Sequence, residues 1–269
     1  MGKFTDGQLG KNLGKRAMNF IQLQPDWHKR FLEQAQWTAG VRSYIYQKTG
    51  LQNVKRVLEV GCGTGVITKE LHQYSPAKIF GIDINPERIH FAQHYDPQSR
   101  FSIANGLSLP FTSGSFDIIL CHFYLMWVKP ALVALQEMKR VCRTGGLIII
   151  LAEPDYRHRI DYPQELEQLG KLQSDSLFQQ GADPWIGVRV PELMKQCGLK
   201  DIQYGLPGGE WFLNHDTLKN TTEREVLIND LSRLSTKQEI EKLFDADQTA
   251  WQTGNRVLFV PTFFGVGIV

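Results

Sequence analysis

A doubly wound α/β fold, in which helices cover both faces of a mostly parallel sheet, is predicted by three features of the sequence. From residue 55 onward, short apolar runs typical of strands alternate with segments of helical spacing. Runs such as residues 147–151 are apolar at every position, which is typical of strands buried on both faces. Hydrophobic residues make up 42% of the 269 residues, which is enough to bury a substantial core.

The predicted elements follow one another along the chain. Residues 26–49 are predicted to be helical, because apolar side chains recur at helical spacing and Gly50 ends the pattern. Asn85-Pro86-Glu87 predicts a helix start, since asparagine caps helices and proline suits the first helical position. Further helices are predicted at 64–74, 131–143, 191–197 and 239–251. Strands are predicted at 56–60, 78–82, 100–103, 116–121, 147–151, 201–204 and 256–269.

These elements divide the chain into four segments. Residues 51–206 form the core, residues 1–50 an N-terminal helical cap, and residues 256–269 the final strand. Residues 207–255 form an insertion whose leucines recur at helical spacing, and such a length exceeds a simple turn. We expect the insertion and the N-terminal segment to form a helical lid over the carboxyl ends of the strands. A dimer interface that uses the same apolar faces is the alternative, so the chain is expected to be a monomer or a homodimer.

A glycine-rich turn after the first strand carries the strongest functional signal. Residues 57–65 read Val-Leu-Glu-Val-Gly-Cys-Gly-Thr-Gly, and glycines let a ligand approach the backbone closely. Asp83 ends the next strand, 22 residues after Gly61, where a doubly wound sheet places a carboxylate on ribose hydroxyls. Together these features predict a nucleoside ligand, although a tight turn with Asp83 capping the next helix is the alternative. Val66 stands where dinucleotide-binding proteins carry glycine or alanine, which disfavours NAD.

Further segments follow the glycine-rich turn in a fixed order. They are Gly-Ile-Asp-Ile at 81–84, Asn-Gly at 105–106 with Leu-Pro-Phe at 109–111, Phe-Asp-Ile-Ile at 116–119 and Arg-Thr-Gly-Gly-Leu at 143–147. Together with Leu-Glu-Val-Gly-Cys-Gly-Thr-Gly at 58–65, they resemble the motifs of the class I S-adenosylmethionine-dependent methyltransferases. The group they resemble comprises small-molecule enzymes similar to ubiquinone/menaquinone methyltransferases. The resemblance implies a Rossmann-like, seven-stranded sheet with a final antiparallel strand, and S-adenosyl-L-methionine as the cofactor.

The resemblance also implies roles for individual residues. The backbone at Gly61 and Cys62 would meet the methionine end of the cofactor. Asp83 would bind the ribose hydroxyls, and Ile84 would pack on the adenine. Asn105 stands where the family often has an aspartate, and its carbonyl oxygen can accept from the adenine amino group without a charge. The other residues expected at this site are Glu59 and Gly63 in the glycine-rich segment, Gly106 beside the adenine, and Cys121 at the end of the fourth strand.

The implied reaction is an in-line displacement at a sulfonium methyl group, which depends mainly on alignment and on the exclusion of water. A base is needed only if the acceptor must lose a proton. His122, after the fourth strand, is the first candidate, because the pKa of histidine suits base catalysis near neutrality. Glu153, after the fifth strand, is the second candidate, and Tyr156 is considered beside it. A structural hydrogen bond, or a contact with the cofactor alone, is the alternative for His122.

Composition restricts the partners. The 30 basic and 28 acidic residues give a net charge of +2, so the basic excess of a nucleic-acid-binding protein is absent. No apolar run approaches the roughly 18 residues of a membrane span, and no secretory signal is recognisable. The four cysteines lack the spacing of a zinc site, and the histidines predict no metal. We therefore expect a cytoplasmic protein with reduced cysteines and a small-molecule substrate.

Two other functions stay open at this point. Base-methylating enzymes of this fold usually carry an Asp/Asn-Pro-Pro-aromatic signature after the fourth strand, where this chain has Cys-His-Phe-Tyr at 121–124. A methyltransferase that acts on a macromolecule is therefore the weaker alternative. The second alternative is a protein that binds the cofactor without turnover and serves as a regulator or assembly partner, because binding alone does not prove catalysis.

Overall fold

The computed structural model describes residues 27–206, 224, 227, 228 and 230–269. The helices are α1 (Trp27–Trp37), α2 (Ala39–Lys48), α3 (Val66–Leu71), α4 (Pro86–Tyr95), α5 (Ala131–Val141), α6 (Glu167–Gln179), α7 (Val190–Gln196) and α8 (Lys237–Gln252). The strands are β1 (Arg56–Val60), β2 (Lys78–Asp83), β3 (Arg100–Ile103), β4 (Phe116–Cys121), β5 (Cys142–Pro154), β6 (Ile160–Tyr162), β7 (Lys200–Gly205), β8 (Val257–Phe259) and β9 (Thr262–Ile268).

Seven of these strands form the central sheet, in the order β3-β2-β1-β4-β5-β9-β7. The pairs from β3 to β5 are parallel, and β9 runs antiparallel to both of its neighbours. The predicted mostly parallel sheet with a final antiparallel strand is therefore confirmed. Because parallel strands share a direction, the turns after β1, β2, β3, β4 and β5 emerge at the same edge of the sheet, which we call the carboxyl edge.

Apolar side chains leave both faces of the sheet and form two core clusters. In β1, Leu58 joins the cluster that packs against α5 and α7, whereas Val57 joins the cluster that packs against α2 and α3. Both of these side chains are completely buried. This arrangement explains why the strands read as continuous apolar runs, since each strand is covered from both sides.

Most predicted elements shift by a few residues at their ends, and three differ in a way that changes the architecture. The helix expected at 26–49 is divided at Thr38 into α1 and α2. The strand expected at 147–151 begins earlier, because Cys142 already pairs with Phe116 of β4. The final strand expected at 256–269 is divided into two, and β8 pairs with β6 outside the central sheet. Pro261 lies at this division, where the absence of a backbone N–H prevents a continuous ladder.

The described part of the insertion packs on the helix that follows β5. Ile240, Leu243 and Phe244 of α8 form a buried cluster with Leu169 of α6. Helix α8 has Thr236 as its N-cap, and the Thr236 and Glu239 side chains bond reciprocally to each other's backbone N–H groups. Most of residues 207–229, and residues 1–26 of the predicted cap, lie outside the described residues.

Helix α1 covers the glycine-rich turn at the other end of the carboxyl edge. His28 Nδ1 lies 2.9 Å from Thr64 Oγ1, and the His28 ring packs on Phe91 and Tyr95. Arg30 of α1 lies close enough to Asp230 to oppose the rise that burial causes in the pKa of that carboxyl. The two side chains are therefore within electrostatic range of each other, and the lid formed by both segments stays a prediction. Within the described ranges, no helix is long and apolar enough to cross a membrane.

Candidate cofactor-binding site

The turn after β1 is a cradle that glycine alone can form. Gly61, Gly63 and Gly65 have φ angles of +75°, +53° and +82°, in the left-handed region that other residues rarely adopt. A Cβ atom on Gly61 would collide with the ring of Tyr124, and one on Gly63 would lie 2.9 Å from the ring of Phe31. The N–H groups of Gly61 and Cys62 donate to the Ile82 carbonyl at 2.8 and 2.9 Å, which fastens the turn to β2.

Asp83 lies beside this turn, at the end of β2. Its Oδ2 accepts from Gly63 N at 2.9 Å, and its Oδ1 accepts from Asn85 N at 2.9 Å. The side chain is only 7% exposed. A carboxylate has about four acceptor positions, so each oxygen of Asp83 retains capacity for a ligand hydroxyl. Asn85, by contrast, caps α4 as predicted and accepts from Arg88 N.

Glu59 lies under the turn and ties β1 to the helix that follows. Thr68 of α3 donates a short hydrogen bond to the Glu59 carboxylate, which is buried. Burial raises the pKa of Glu59 to about 7, although the bond from Thr68 opposes this rise. The contact holds the strand and helix on either side of the glycine turn at a fixed separation, as expected of a residue that orders the loop.

The turns after β2 and β3 supply the remaining residues on this side. Ile84 is 69% exposed at the carboxyl edge, which leaves an apolar surface open to a flat ligand. Asn105 Oδ1 accepts from Leu107 N at 2.9 Å, so the oxygen predicted to meet adenine already has one backbone partner. A Cβ atom on Gly106 would collide with the hydroxyl of Tyr124. The cleft bounded by residues 61–65, 83–85 and 105–106 is called the glycine cleft below.

Tyr124, from the loop after β4, extends into the glycine cleft. Its ring faces Gly61 and its hydroxyl faces Gly106, so it crosses from the turn after β1 to the turn after β3. The hydroxyl is buried and has no hydrogen-bond partner among the described residues. Burial raises the pKa of the phenol, so the group stays neutral at ordinary pH. In the sequence Tyr124 simply follows β4, and only the fold brings it onto the glycines.

Glu153 supports the same loop from below. Its carboxylate accepts from the backbone N–H groups of Tyr124, Leu125 and Met126 at 2.8, 2.7 and 3.1 Å. Burial raises the pKa of Glu153 to about 7, and the three donors oppose this rise. A catalytic role for Glu153 stays a prediction, and what the geometry shows is a group that holds the loop bearing Tyr124.

His122 faces the N-terminal helices. Its Nε2 lies 2.8 Å from Thr38 Oγ1, and that hydroxyl also accepts from Arg42 at 2.6 Å. Burial and the nearby Arg42 charge lower the pKa of His122 to about 3. The imidazole is therefore neutral near pH 7 and a weak proton acceptor, and its role as a base stays a prediction. Cys121, next to it, is buried at the end of β4, and burial raises the pKa of its thiol.

Known proteins similar to this chain include several methyltransferases. Residues 58–150 match the family model of a methyltransferase domain. The ubiquinone/menaquinone biosynthesis C-methyltransferase UbiE of Geobacter sp. (strain M21) is 36% identical over 118 residues, which cover 41% of this chain and 50% of that protein. The demethylmenaquinone methyltransferase of Lactococcus lactis subsp. lactis is 25% identical over 204 residues, 68% of this chain and 79% of that protein.

The glycine cleft and the matched segment coincide. Residues 58–150 are a class I S-adenosylmethionine-dependent methyltransferase domain. The chain spans about half the length of the Geobacter relative. The solved phosphoethanolamine N-methyltransferase 2 of Haemonchus contortus, in complex with S-adenosyl-L-methionine, has the same fold. It superposes with a TM-score of 0.54 over 84% of this chain and 51% of that chain, at 14% identity.

The residues of the methyltransferase domain fit its cofactor. At Gly61 and Gly63 the rings of Tyr124 and Phe31 lie closer to the backbone than any Cβ atom would allow, so the turn is open to a close approach once these rings shift. Asp83 is fixed beside the cradle with acceptor capacity left over. The Tyr124 ring lies across the cleft with an unpartnered hydroxyl, so this side chain has to shift or stack when the cleft is filled. Among the described residues, no group of acidic, histidine and cysteine side chains is arranged to hold a metal ion.

Proposed function

We propose that the protein transfers the methyl group of S-adenosyl-L-methionine to a small, partly apolar acceptor by in-line displacement. The observation that carries the proposal is the glycine cradle beside Asp83, which lies inside the segment that matches the methyltransferase domain. When bound, the cofactor supplies a methyl group on a positively charged sulfur, which is already activated for displacement. The protein then has to position the reactants and exclude water.

The chain's own residues divide this work between them. In the proposal, Asp83 holds the ribose hydroxyls by charge-assisted hydrogen bonds, and Ile84 packs on the adenine. Glu153 fixes the loop that bears Tyr124, next to the reacting groups. Helix α1 places Phe31 over Gly63 and so shields this side of the cleft from water. Neutral His122 is the candidate base for an acceptor that arrives protonated, and its low pKa makes it a weak one.

The segments that cover the site support an acceptor that is small and partly apolar. Helix α1 lies over the glycine turn, and Arg30 of α1 and Asp230 of the insertion interact electrostatically. A lid formed by both segments leaves little room for a polymer. UbiE of Geobacter is named for ubiquinone/menaquinone biosynthesis, and this supports a small acceptor. Cys62, Cys121, Cys142 and Cys197 are free and buried, which supports the further proposal of a reducing, cytoplasmic setting.

Binding and turnover are tested separately. The full-length protein, freed of carried-over ligand, is titrated by calorimetry with S-adenosylmethionine and, side by side, with NAD. Methyl transfer is then followed with tritiated S-adenosylmethionine and a cell extract fractionated by size. The proposal expects binding of S-adenosylmethionine alone, and label in the fraction of small molecules. Label in protein or nucleic acid would instead establish a macromolecular acceptor, and binding without any transfer would favour a regulatory protein.

A further inference from the structure

A second concave site lies outside the glycine cleft, and it combines stacked aromatic rings with basic side chains. It is a groove of about 370 Å³ between the segments that follow β4, β5 and α6. We call it the cationic groove. Its principal lining residues are Lys129, Arg157, His158, Phe178, Trp185 and Arg189. None of the residues predicted to bind the cofactor belongs to it.

Two aromatic rings form the apolar wall of the cationic groove. Phe178 and Trp185 are stacked, with ring centroids 5.6 Å apart and planes 24° apart. The two side chains are 55% and 37% exposed, although aromatic rings of this size favour burial. An exposed stacked pair in a concave site is a surface that a flat ligand can cover, and covering it removes apolar area from water.

Basic groups flank these rings. The Arg157 guanidinium lies 5.8 Å from the centroid of the Trp185 ring, and the Lys129 ammonium lies 6.0 Å from that of Phe178. Neither cation forms an ion pair with any residue in the described ranges. The positive charges therefore stand at the two rings without a carboxylate to neutralise them.

The acidic residues beside the groove are already paired. Asp183 forms an ion pair with Arg189 at 3.0 Å and accepts from Trp185 N at 3.1 Å. Asp155, which is buried, accepts from the backbone of Arg157 and from His158 Nδ1, the latter at 3.0 Å. Arg189 neutralises Asp183, whereas His158 offsets the buried Asp155 only when its imidazole is protonated. Lys129 and Arg157 carry two positive charges against that one carboxylate, so the groove keeps a net positive charge. A surplus of positive charge beside a flat apolar wall is complementary to an anion carried on a planar ring.

The cationic groove is fastened to the loops of the carboxyl edge. Asp183 N donates to the Met126 carbonyl at 2.7 Å, and Tyr156 N donates to the Pro184 carbonyl at 2.8 Å. Met126 is one of the residues whose N–H groups Glu153 holds. The groove is thus built on the same two loops, after β4 and β5, that border the glycine cleft. Ligands of open α/β sheets bind at this edge.

We propose that the cationic groove is a binding site for a planar aromatic anion, with the ring on Phe178 and Trp185 and the anionic group between Lys129 and Arg157. The site is independent of methyl transfer, and it does not rest on the function proposed above. A carboxylate and a phosphate ester are the two anions whose charge and size fit this chemistry, and the experiment below distinguishes them.

Calorimetry on the full-length protein tests the proposal with three probes that share one ring system. They are 2-naphthoate, 2-naphthyl phosphate and the neutral 2-naphthamide. We expect at least one anion to bind about tenfold more tightly than the amide, and its binding to weaken as salt is added. The anion that binds more tightly identifies the source of the charge. Equal affinities for all three probes would overturn the proposal.

Matched double variants locate the binding. Lys129→Gln with Arg157→Gln removes the surplus charge from the groove. The control is Lys78→Gln with Arg100→Gln. It removes two exposed cations at the edge of the sheet opposite the carboxyl edge, and one of them, Arg100, also lies over an aromatic ring. We expect the groove variant alone to reduce the anion's affinity to that of the amide. An unchanged affinity in the groove variant, or an equal loss in the control, would show that the anion binds elsewhere.

A third variant examines the aromatic wall, and circular dichroism monitors the fold. Phe178→Leu keeps apolar bulk but removes the stacked pair, so all three probes should bind several-fold more weakly. The melting temperature, followed by circular dichroism on the same samples, should not change in any groove variant. If it falls, the loss of affinity reflects disturbed folding, and the more conservative Lys129→Gln alone is then compared with Lys78→Gln.

Discussion

At the carboxyl edge of the sheet, the glycine cleft and the loops after β4 and β5 hold their side chains by different means. In the cleft, the glycine turn adopts left-handed backbone angles, and Gly63 N donates directly to the Asp83 carboxylate. In the loops, Glu153 holds residues 124–126, which precede it by nearly thirty positions. Backbone conformation shapes the first region, and one buried side chain holds the second.

The difference shows where a ligand site can be altered. A cleft made from glycines and one acid has no tolerance for a larger side chain, because the backbone itself lines it. A loop held by one buried carboxylate depends on that group's charge state. We expect substitutions in the cleft to act on cofactor affinity, and changes of pH or of Glu153 to act on stability and on the position of Tyr124.

The largest expected effect is on cofactor affinity at Gly61. Gly61→Val forces a β-branched residue to φ +75° and drives its Cβ atom into the Tyr124 ring. Strain of about 1–2 kcal/mol and overpacking of about 1–3 kcal/mol together disturb the turn by about 2–5 kcal/mol, which corresponds to binding of S-adenosylhomocysteine weaker by about 30-fold to 5,000-fold in calorimetry. Gly50→Ala is the matched control, since Gly50 has a φ of +64° and open space around it. Equal effects at both positions would show that backbone strain alone matters.

The next largest effect is the dependence of stability on pH, to which each region contributes one buried glutamate. Burial raises the pKa of Glu59 and of Glu153 from 4.5 to about 7 in the folded protein. Between the unfolded-state pKa and the folded-state pKa of these glutamates, the folded state binds more protons than the unfolded state. The free energy of unfolding therefore falls as the pH rises through this range. A shift of this size corresponds to about 3 kcal/mol for each group. Urea unfolding at pH 4.5 and pH 8 should reveal the fall.

Single variants show how much of this pH dependence each buried glutamate contributes. Glu59→Gln and Glu153→Gln should each flatten the dependence of stability on pH, since an amide does not titrate. The exposed Glu165→Gln should leave it unchanged. A dependence that keeps its full slope in both buried variants would mean that neither carboxyl titrates as described.

A smaller effect is expected at Asp83. Asp83→Ala removes charge-assisted hydrogen bonds to the ribose, each worth about 1.5–3 kcal/mol, so the dissociation constant of S-adenosylmethionine should rise at least tenfold. Asp83→Asn keeps one acceptor oxygen, so its dissociation constant should lie between those of the parent protein and Asp83→Ala. Circular dichroism should show a folded protein in each case. Unchanged affinity in folded Asp83→Ala would refute the ribose assignment.

The smallest effect concerns the loop side chain that enters the cleft. Tyr124→Phe removes a buried hydroxyl that has no hydrogen-bond partner in the part of the chain that the structure describes, so the ligand-free protein should gain about 1 kcal/mol of unfolding free energy. Tyr204→Phe, at a side chain 57% exposed, should change stability little. Destabilisation by Tyr124→Phe would indicate that the hydroxyl is bonded in solution.

Where the signal is local, the sequence was sufficient to predict the structure. Pattern and spacing alone predicted β1, β3 and β4 with their observed bounds, and the Asn85 cap. The order of the motifs predicted the antiparallel final strand, and β9 confirms it. These features depend on residues within a few positions of each other, where steric and capping preferences act directly.

Only the tertiary structure decided which residues of different elements contact each other. Tyr124 lies over Gly61, Glu153 binds the loop after β4, and Thr38 holds His122 because the sheet brings distant segments to one edge. The cationic groove likewise combines residues from three connections. Burial then changes the chemistry of these groups, since it lowers the pKa of His122 and raises that of Glu153. The sequence by itself determined which residues reach the carboxyl edge, and packing and desolvation determined what each of them meets there.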